Sequence, residues 1–385
     1  MKRIVFKLTM FVCSCSEKVA SDQELVTIEI DLDQSVEGKL SDHFEKTEYI
    51  ILDYPDSNPV INLYNVVFRD GLIFIRDNRS HNLFVFDEEG QVVNTIYANG
   101  MGPGEYIQMD DFQVTEDRIF IQDTHLQKQL EFDRNGEFIK EIKNSYQNTN
   151  FYVADTYSIY FMSYKTDFQG YNFVRRDNST DVEEFFYKID KPLEYIVRVD
   201  NLNGFKEIES KGLLYFSMPH ATKVVFIDKF SGFLKDTYFF DFGKHNVADE
   251  KRGFEKREEL KVLVRDRKLV SRIDLIHSYL DKYVLFVRQG LDQRHYIFMD
   301  HDFNILNQWK NLENDIDGMP YVFPWTGTDD HLVFRFHSSN FFNKYVELYG
   351  NKKIKIMKGN IHAFFQMNKQ RLKEDTWVLV KLKFK

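Results

Sequence analysis

Short runs of apolar and aromatic residues, each bounded by turn residues, recur along most of the chain. The clearest set comprises four runs, Asn65–Phe68, Leu72–Arg76, Leu83–Phe86 and Gln91–Tyr97. Asp70-Gly71 and the segment from Asp87 to Gly90 separate them as tight-turn signals. The pattern predicts four antiparallel strands joined by turns.

This four-run unit is repeated in the sequence. Residues 73–90 match residues 119–136 without a gap, and seven of the eighteen paired positions are identical. The shared residues include Asp77 with Asp123, Asp87 with Asp133, and Gly90 with Gly136. A repeat of this length indicates a solenoid, propeller or array, and four short antiparallel strands are the content of one propeller blade.

Weaker copies extend the repeat to six blades. The predicted third to sixth blades centre on Ser158–Met162 with Asn172–Arg175, Leu213–Phe216 with Val224–Asp228, Tyr283–Val287 with Tyr296–Asp300, and Leu332–Phe336 with Val346–Tyr349. The charged segment from Ala248 to Lys268 predicts a short helix on the rim. Two more strand-like segments, Thr47–Leu52 and Thr376–Phe384, lie outside the six cores, and pairing them would remove exposed edges by closing the ring. We therefore predict an all-β fold, a six-bladed β-propeller of four-stranded antiparallel blades over residues 25–385.

Residues 1–24 have the character of a lipoprotein-type signal peptide and tether. Met1-Lys2-Arg3 is positively charged, and Ile4 to Val12 is mostly apolar although Lys7 interrupts it. The segment from Val12 to Cys15 resembles a bacterial lipobox, so we predict that Cys15 is lipidated, with Cys13 as the alternative acceptor. This predicts a cell-envelope protein held at a bacterial membrane by a lipid anchor, on its periplasmic or outer surface. A frayed N-terminal strand or a misassigned start codon is the competing interpretation.

Composition narrows the classes of function. The 37 Phe and 21 Tyr residues suit pleated sheets, and the net charge of −9 argues against binding to nucleic acid. No apolar run is long enough to span a membrane, so we expect a soluble body, and we expect it to be a monomer. The only cysteines are Cys13 and Cys15, which leaves the body without a disulfide, a thiolate metal site or a cysteine nucleophile.

One segment carries a family resemblance. Gly100-Met101-Gly102-Pro103-Gly104-Glu105-Tyr106 follows the first predicted blade, and it resembles a glycine-proline signature of the six-bladed β-propeller lipoproteins of Bacteroides-type bacteria, relatives of NHL-repeat propellers. Leu40–Phe44, Phe240–Gly243 and the closing Val378–Lys383 are similar to other segments of that family. The resemblance implies a propeller fold and an envelope location, but no reaction.

Candidate chemistry is sparse. Successive glycines can cradle a phosphate, but no helix or lysine follows the Gly100 segment, so we interpret Gly100, Gly102, Pro103, Gly104, Glu105 and Tyr106 as a structural interblade loop. We interpret the acids and glycines shared between the repeats as turn residues, with metal binding by Asp77 and Asp123 as the alternative. His301 between Asp300 and Asp302 is interpreted as a turn, and Trp325 as a core residue.

The absence of a catalytic motif favours a binding or scaffold propeller for a glycan, a peptide or a protein partner. The alternative is a metal-dependent lyase or hydrolase with its site in the axial funnel. No polar set repeats across all blades, which argues against such a site. No cofactor is predicted, and a divalent metal in the axial channel belongs to the alternative function only.

Overall fold

The computed structural model describes residues 25–144, 148–163, 170–188, 204–248 and 257–385. Three strands precede the first blade: β1 (Leu25–Glu29), β2 (Val36–Lys39) and β3 (Phe44–Ile51). The remaining strands form six sheets whose first strands contact those of neighbouring blades around a common axis. The chain is thus a six-bladed β-propeller, as the repeat predicts.

Blades 1 to 3 each contain four consecutive antiparallel strands. Blade 1 consists of β4 (Leu63–Arg69), β5 (Leu72–Asp77), β6 (Leu83–Phe86) and β7 (Val92–Ile96). Blade 2 consists of β8 (Asp111–Val114), β9 (Arg118–Asp123), β10 (Lys128–Asp133) and β11 (Phe138–Lys143). Blade 3 consists of β12 (Asn150–Val153), β13 (Tyr157–Phe161), β14 (Tyr171–Asp177) and β15 (Glu183–Lys188).

The second half of the ring carries helical insertions. Blade 4 consists of β16 (Phe205–Ile208), β17 (Leu213–Ser217), β18 (Lys223–Asp228) and β19 (Leu234–Asp241), and helix α1 (Arg257–Arg267) follows it. Blade 5 consists of β20 (Val270–Tyr279), β21 (Lys282–Gln289), β22 (Gln293–Met299) and β23 (Ile305–Glu313). Blade 6 begins with β24 (Thr326–Thr328) and β25 (His331–His337), continues through helices α2 (Ser338–Tyr349) and α3 (Ile361–Asn368), and ends with β26 (Trp377–Phe384). The helix predicted between Ala248 and Lys268 is therefore present as α1.

An N-terminal strand closes the ring. β3 is the fourth strand of blade 6 and pairs antiparallel with β26, from Ile51 opposite Val378 to Phe44 opposite Phe384. This confirms the predicted pairing of the two terminal segments. The pairing places β26 inside the sheet and makes β3 the outer strand of blade 6.

Blade 6 differs from its predicted composition in two respects. Val346–Tyr349 was expected to be a strand, but it is the last turn of α2. The C-terminal segment was expected to lie outside the six cores, but β26 is the third strand of this blade. Phe341 and Tyr345, spaced by four residues, lie on the buried face of α2, and a short apolar run cannot by itself distinguish such a helix from a strand.

The first two strands form a belt around the outer edges of blades 4 and 5. β1 adds in parallel to β19, and β2 adds in parallel to β23. Ser35, just before β2, is hydrogen-bonded through its hydroxyl to Nδ1 of the fully buried His295, at 2.9 Å. The belt covers two outer strands that would otherwise present unpaired backbone groups.

The core lies between the blades and is largely aromatic. Phe161 of blade 3 and Phe216 of blade 4 are both fully buried, with ring centroids 4.8 Å apart. Offset aromatic pairs of this kind stabilise a core beyond the area that they bury. Within the described residues, no helix combines the length and the apolar character that a bilayer crossing requires.

Candidate axial binding site

A cavity of about 280 Å³ lies on the propeller axis and is lined by all six inner strands. Five of these strands each place a polar side chain in its wall, and the five are Asn65 (β4), Asp111 (β8), Lys206 (β16), His277 (β20) and Thr326 (β24). The inner strand of the remaining blade, β12, contributes Asn150, which contacts Asp111. The axis is therefore polar, although the residue types differ from blade to blade.

Asp111 is the most strongly perturbed acid of this site. Its side chain is almost fully buried, and it accepts hydrogen bonds from Asn150 Nδ2 at 2.9 Å and from the backbone N–H of Phe112 at 2.9 Å. Burial raises the pKa of the carboxyl to about 6, while the positive charge of Arg76 opposes the increase. The carboxylate is thus ionised at neutral pH at a considerable desolvation cost.

Gly204 lies beside Asp111 and Asn150, and its backbone conformation is what requires a glycine. Its φ is +52°, and a Cβ atom there would lie 3.6 Å from Asp111 Oδ2 and 3.8 Å from Asn150 Nδ2. A glycine allows this left-handed turn directly before β16. The turn lets β16 begin beside the acid.

Lys206 faces the cavity from the middle of β16. Among the residues that the structure describes, no acid lies within ion-pair distance of its ammonium group. Burial lowers the pKa of this amine, and the nearby Asp111 opposes the decrease. A partly buried amine with no acid within ion-pair distance can bind an anionic or strongly accepting group.

His277 is held in its neutral form. Its Nε2 lies 2.7 Å from the backbone carbonyl oxygen of Thr328, so the neutral ring donates its proton there. Burial lowers the pKa of this histidine to about 4. A Cβ atom at Gly327 would lie 2.4 Å from the same nitrogen, so the glycine in β24 is what lets the ring pack against that strand.

Glu207 and Tyr152 lie in the wall near the ends of the inner strands. The Tyr152 hydroxyl donates to Glu207 Oε1 at 2.9 Å, and Lys229 Nζ donates to Glu207 Oε2 at 3.0 Å. Burial and the adjacent carboxylate raise the pKa of Tyr152. This part of the wall is internally satisfied, unlike Lys206.

Trp325 stacks on a cation rather than facing the cavity. The guanidinium of Arg335 lies 3.3 Å from the Trp325 ring centroid and 5.3 Å from that of Trp377. Trp325 Nε1 donates to the carbonyl oxygen of Tyr64 at 2.5 Å. Burial lowers the pKa of Arg335 to about 10. The Trp325 ring is thus engaged in packing between blades 6 and 1.

The acids shared between the repeats form two sets. Asp77 and Asp123 end the second strands of blades 1 and 2. In blade 2, Asp123 Oδ2 accepts from the backbone N–H groups of Ile107 and Gln108, at 2.7 and 3.3 Å, and its Oδ1 accepts from that of Leu126 at 2.8 Å. Asp77 accepts equivalent bonds in blade 1. Each of these buried acids therefore joins the turn after its strand to the loop that leads into its blade.

The second set lies at the turn between the third and fourth strands. Asp87 accepts from the backbone N–H of Gln91 at 2.7 Å, and Asp133 accepts from those of Asn135 and Glu137 at 2.9 Å. Asp177, Asp228 and Asp300 accept backbone bonds in the corresponding turns of blades 3, 4 and 5. Gly90 and Gly136 both have φ of +86°, as these turns require.

The segment from Gly100 to Tyr106 lies between β7 and β8. Glu105 Oε2 accepts from the backbone N–H of Gly102 at 2.8 Å, and a Cβ atom at Gly100 would lie 2.0 Å from the same oxygen. The glycines thus surround a carboxylate of their own loop, which occupies the position a phosphate would need. Pro103 and Gly104 follow the Gly102 amide within this loop, and Tyr106 is fully buried.

In the described part of the chain, no group of three or more His, Cys, Asp or Glu side chains is placed to hold a metal ion. His301 is exposed and contacts Asp302, with 3.1 Å between Nε2 and Oδ2. Asp300 Oδ1 accepts from the backbone N–H groups of its own turn. The lipidation candidates Cys13 and Cys15 lie outside the described residues.

A family model described as 6-bladed beta-propeller matches residues 17–335 of the chain. The chain belongs to this family. A search of curated proteins found no match.

Two solved structures resemble this six-bladed propeller. The first is a protein of Bacteroides fragilis whose name describes it as exported by prediction. It is 15% identical to this chain, with a TM-score of 0.70, and the match covers 94% of this chain and 100% of that one. The second, a member of the duf4221 family from Bacteroides vulgatus, is 12% identical, with a TM-score of 0.54 and coverage of 89% and 97%. At these identities the likeness concerns the fold alone.

The sequence interpretation missed the polar ring on the propeller axis. An axial site was expected to show a set of polar residues repeated across the blades, whereas the ring contains amide, carboxyl, amine, imidazole and hydroxyl groups. Asn65 interrupts an otherwise apolar run, but Asp111 and Lys206 lie next to other charged residues and carry no such signal. Only the closed ring brings these positions together.

Proposed function

We propose that this six-bladed propeller is a binding protein of the cell envelope that holds a small polar ligand in its axial cavity. The observation that carries the proposal is the position of Lys206, an amine without an ion-pair partner among the described residues, in the wall of a cavity that also contains the desolvated Asp111. A ligand that contacts the partly buried Lys206 and the buried Asp111 would offset the cost of desolvating them.

The size of the cavity favours a fragment-sized ligand. Its volume of about 280 Å³ lies just below the roughly 300–1,000 Å³ typical of pockets for drug-sized molecules. A folded protein partner would need a far larger surface, of roughly 800 Å² on each side. Of the ligand classes considered from the sequence, a glycan fragment and a peptide end both fit this space.

The polarity of the wall sets the chemistry of the ligand. Lys206 calls for a carboxylate or a comparably strong acceptor, and Asp111 calls for a hydroxyl or ammonium donor. An acidic sugar and the end of a short peptide each carry both kinds of group. A purely apolar ligand would leave both charges desolvated and unpaired, which costs several kcal/mol.

The envelope location rests on two supports. The N-terminal segment has the lipobox-like Val12–Cys15, and the structural neighbour from Bacteroides fragilis is named as exported by prediction. Acylation at Cys15 would anchor the propeller at a membrane surface.

A thermal-shift screen tests the proposal, with glucuronic and galacturonic acids, neutral disaccharides and dipeptides as probes. A probe present at about 100 times its Kd stabilises the fold by about 2.7 kcal/mol, which raises Tm by about 3–6 °C in a chain of this size. The Lys206→Met variant should lose that shift. Lys235→Met, an exposed lysine on the outer strand of the same blade, should retain it.

Two results would count against the proposal. The first is a screen in which no acidic sugar or dipeptide shifts Tm. The second is a shift that survives unchanged in both Lys206→Met and Asp111→Asn, because the probe would then bind elsewhere.

A further inference from the structure

Blade 6 carries an insertion that the other blades lack. The connection between its second and third strands contains α2, a loop over residues 350–360, and α3. Because β25 runs antiparallel to β24, this insertion leaves the blade on the face where the inner strand begins. Residues 351–359 are all exposed, and we call them the basic loop.

The basic loop concentrates positive charge in an acidic protein. It contains Lys352, Lys353, Lys355 and Lys358, and the sequence from 348 to 373 has no Asp or Glu, although the net charge of the chain is −9. Within the described ranges, none of the four lysines forms an ion pair with an acid, and Lys352 Nζ lies 5.4 Å from the Tyr349 ring centroid. Their positive charge is therefore not neutralised locally.

Exposed apolar side chains alternate with these lysines. Ile354, Ile356 and Met357 are 40%, 50% and 52% exposed. Met367 on the neighbouring α3 is 79% exposed. Solitary exposed apolar residues are common, but an apolar group clustered within a basic segment is typical of surfaces that enter the interface of a membrane.

The helices beneath the loop give it a defined base. Tyr345 of α2 and Phe365 of α3 stack with centroids 3.7 Å apart. Asn360 caps α3 by accepting from the backbone N–H of Ala363 at 2.9 Å, and its Nδ2 donates to the carbonyl oxygen of Lys355 at 2.9 Å. The loop is thus held in place at its centre, and less conformational entropy remains to be lost on binding.

We propose that the basic loop docks this propeller onto an anionic lipid surface. The lysines lie among the lipid phosphates, while Ile354, Ile356 and Met357 enter the boundary between headgroups and acyl chains. The alternation of lysines and apolar side chains favours a lipid surface, which has an apolar layer directly beneath its phosphates. An acidic protein or a nucleic acid has no such layer. This proposal is independent of the axial ligand.

Docking through this loop would also orient the propeller. The insertion extends from the face on which the inner strands begin, whereas Arg69, Glu207 and Asp329 of the cavity wall lie at or just beyond the far ends of those strands. The far end of the axial cavity would then point away from the membrane.

Sedimentation with lipid vesicles tests the proposal on the full chain carrying Cys13→Ser and Cys15→Ser, which prevents acylation. Vesicles are made of phosphatidylcholine alone or mixed with phosphatidylglycerol. We expect binding to the mixed vesicles only, weakening as salt is raised from low to physiological concentration. Each lysine near such a surface contributes roughly fivefold to the affinity.

Charge reversal of the loop provides the main comparison. The quadruple variant Lys352→Glu, Lys353→Glu, Lys355→Glu, Lys358→Glu should bind the mixed vesicles more than about 100-fold more weakly than the parent chain does. The control has the same change of net charge, with glutamate replacing four exposed lysines on blades 2 to 5, namely Lys143, Lys188, Lys235 and Lys282. A second variant, Ile354→Ser with Ile356→Ser, keeps the charge and should also weaken binding, by roughly tenfold or more.

The outcomes separate the loop from the rest of the chain. Equal loss of binding in the loop variant and in the control would overturn the proposal, because net charge alone would then govern attachment. Binding of the parent chain, which carries only the two cysteine substitutions, to neither kind of vesicle would overturn it as well, as would unchanged binding in the Ile354→Ser, Ile356→Ser variant. Unaltered thermal unfolding of each variant verifies that the propeller remains folded.

Discussion

Asp111 offers a test of whether the axial site is maintained at the expense of stability. Burial raises the pKa of its carboxyl to about 6 from an ordinary value of 3.8. At about 1.4 kcal/mol for each pH unit, a folded-state shift of this size corresponds to about 3 kcal/mol. Above pH 6 the folded protein must hold the carboxylate ionised in a desolvated position, so that amount is subtracted from the free energy of unfolding.

The direction of the pH dependence follows from proton binding. Between about pH 4 and pH 6 the folded state binds more protons at Asp111 than the unfolded state does, so this group lowers stability progressively as the pH rises through that interval. The contribution vanishes below about pH 3, where the carboxyl is protonated in both states, and becomes constant above about pH 7, where it is ionised in both.

Asp111→Asn removes the charge and keeps the shape of the side chain. Its amide oxygen can still accept from either Asn150 or the Phe112 N–H, and losing the other bond offsets about 1 kcal/mol of the gain. We therefore expect the variant to be more stable than the unmutated chain by about 1–3 kcal/mol at pH 7.5. At pH 4 the difference should fall to zero or reverse slightly.

Urea denaturation at pH 4, 5, 6 and 7.5 measures the effect. Asp329→Asn is the control, because Asp329 also lines the cavity but is exposed; its change should stay within about 0.5 kcal/mol at every pH. A variant at Asp111 that is less stable at pH 7.5, or a difference that is the same at pH 4 and 7.5, would refute the reasoning.

Three further predictions concern the blade turns, the interblade loop and the leader. Asp123→Ala leaves three backbone N–H groups without their acceptor and should cost about 3 kcal/mol or more in urea denaturation, whereas Asp117→Ala on the surface of the same blade should cost about 1 kcal/mol or less; equal costs would contradict the clamping role. Gly104→Ala should destabilise by at least about 1 kcal/mol more than Gly170→Ala, because φ is +75° and +78° at the two sites but only the first new Cβ would meet a side chain, at 2.9 Å. Cys15→Ala should abolish labelling by a fatty-acid probe in cells, and persistent labelling would transfer the acylation to the other cysteine.

Much of the fold was predictable because blade formation is local. In the first three blades each strand pairs with its neighbour along the chain, and the turns between strands carry their own signals, such as Asp87 to Gly90. The second half of the ring was harder to predict from the sequence. Val346–Tyr349 has the composition of a strand but lies in α2, because Phe341 and Tyr345 bury one helical face against the rest of blade 6.

The candidate site was harder to predict than the fold because its members are distant in sequence. Asp111 lies in blade 2, Lys206 in blade 4 and His277 in blade 5. Each of these residues alone resembles an ordinary polar interruption of a strand. Their pKa shifts arise from burial, which depends on the other inner strands.

By itself, then, the sequence determined the repeating four-strand unit, the turns that separate its strands and the strand-like character of the two terminal segments, because these follow from the short-range alternation of apolar and turn residues. Only the tertiary structure decided which polar side chains meet on the axis and how strongly each is desolvated. It also decided that the lysines of the basic loop on blade 6 form no ion pair with an acid among the described residues. Distance, burial and charge compensation between remote segments are properties of the closed ring, and no local pattern encodes them.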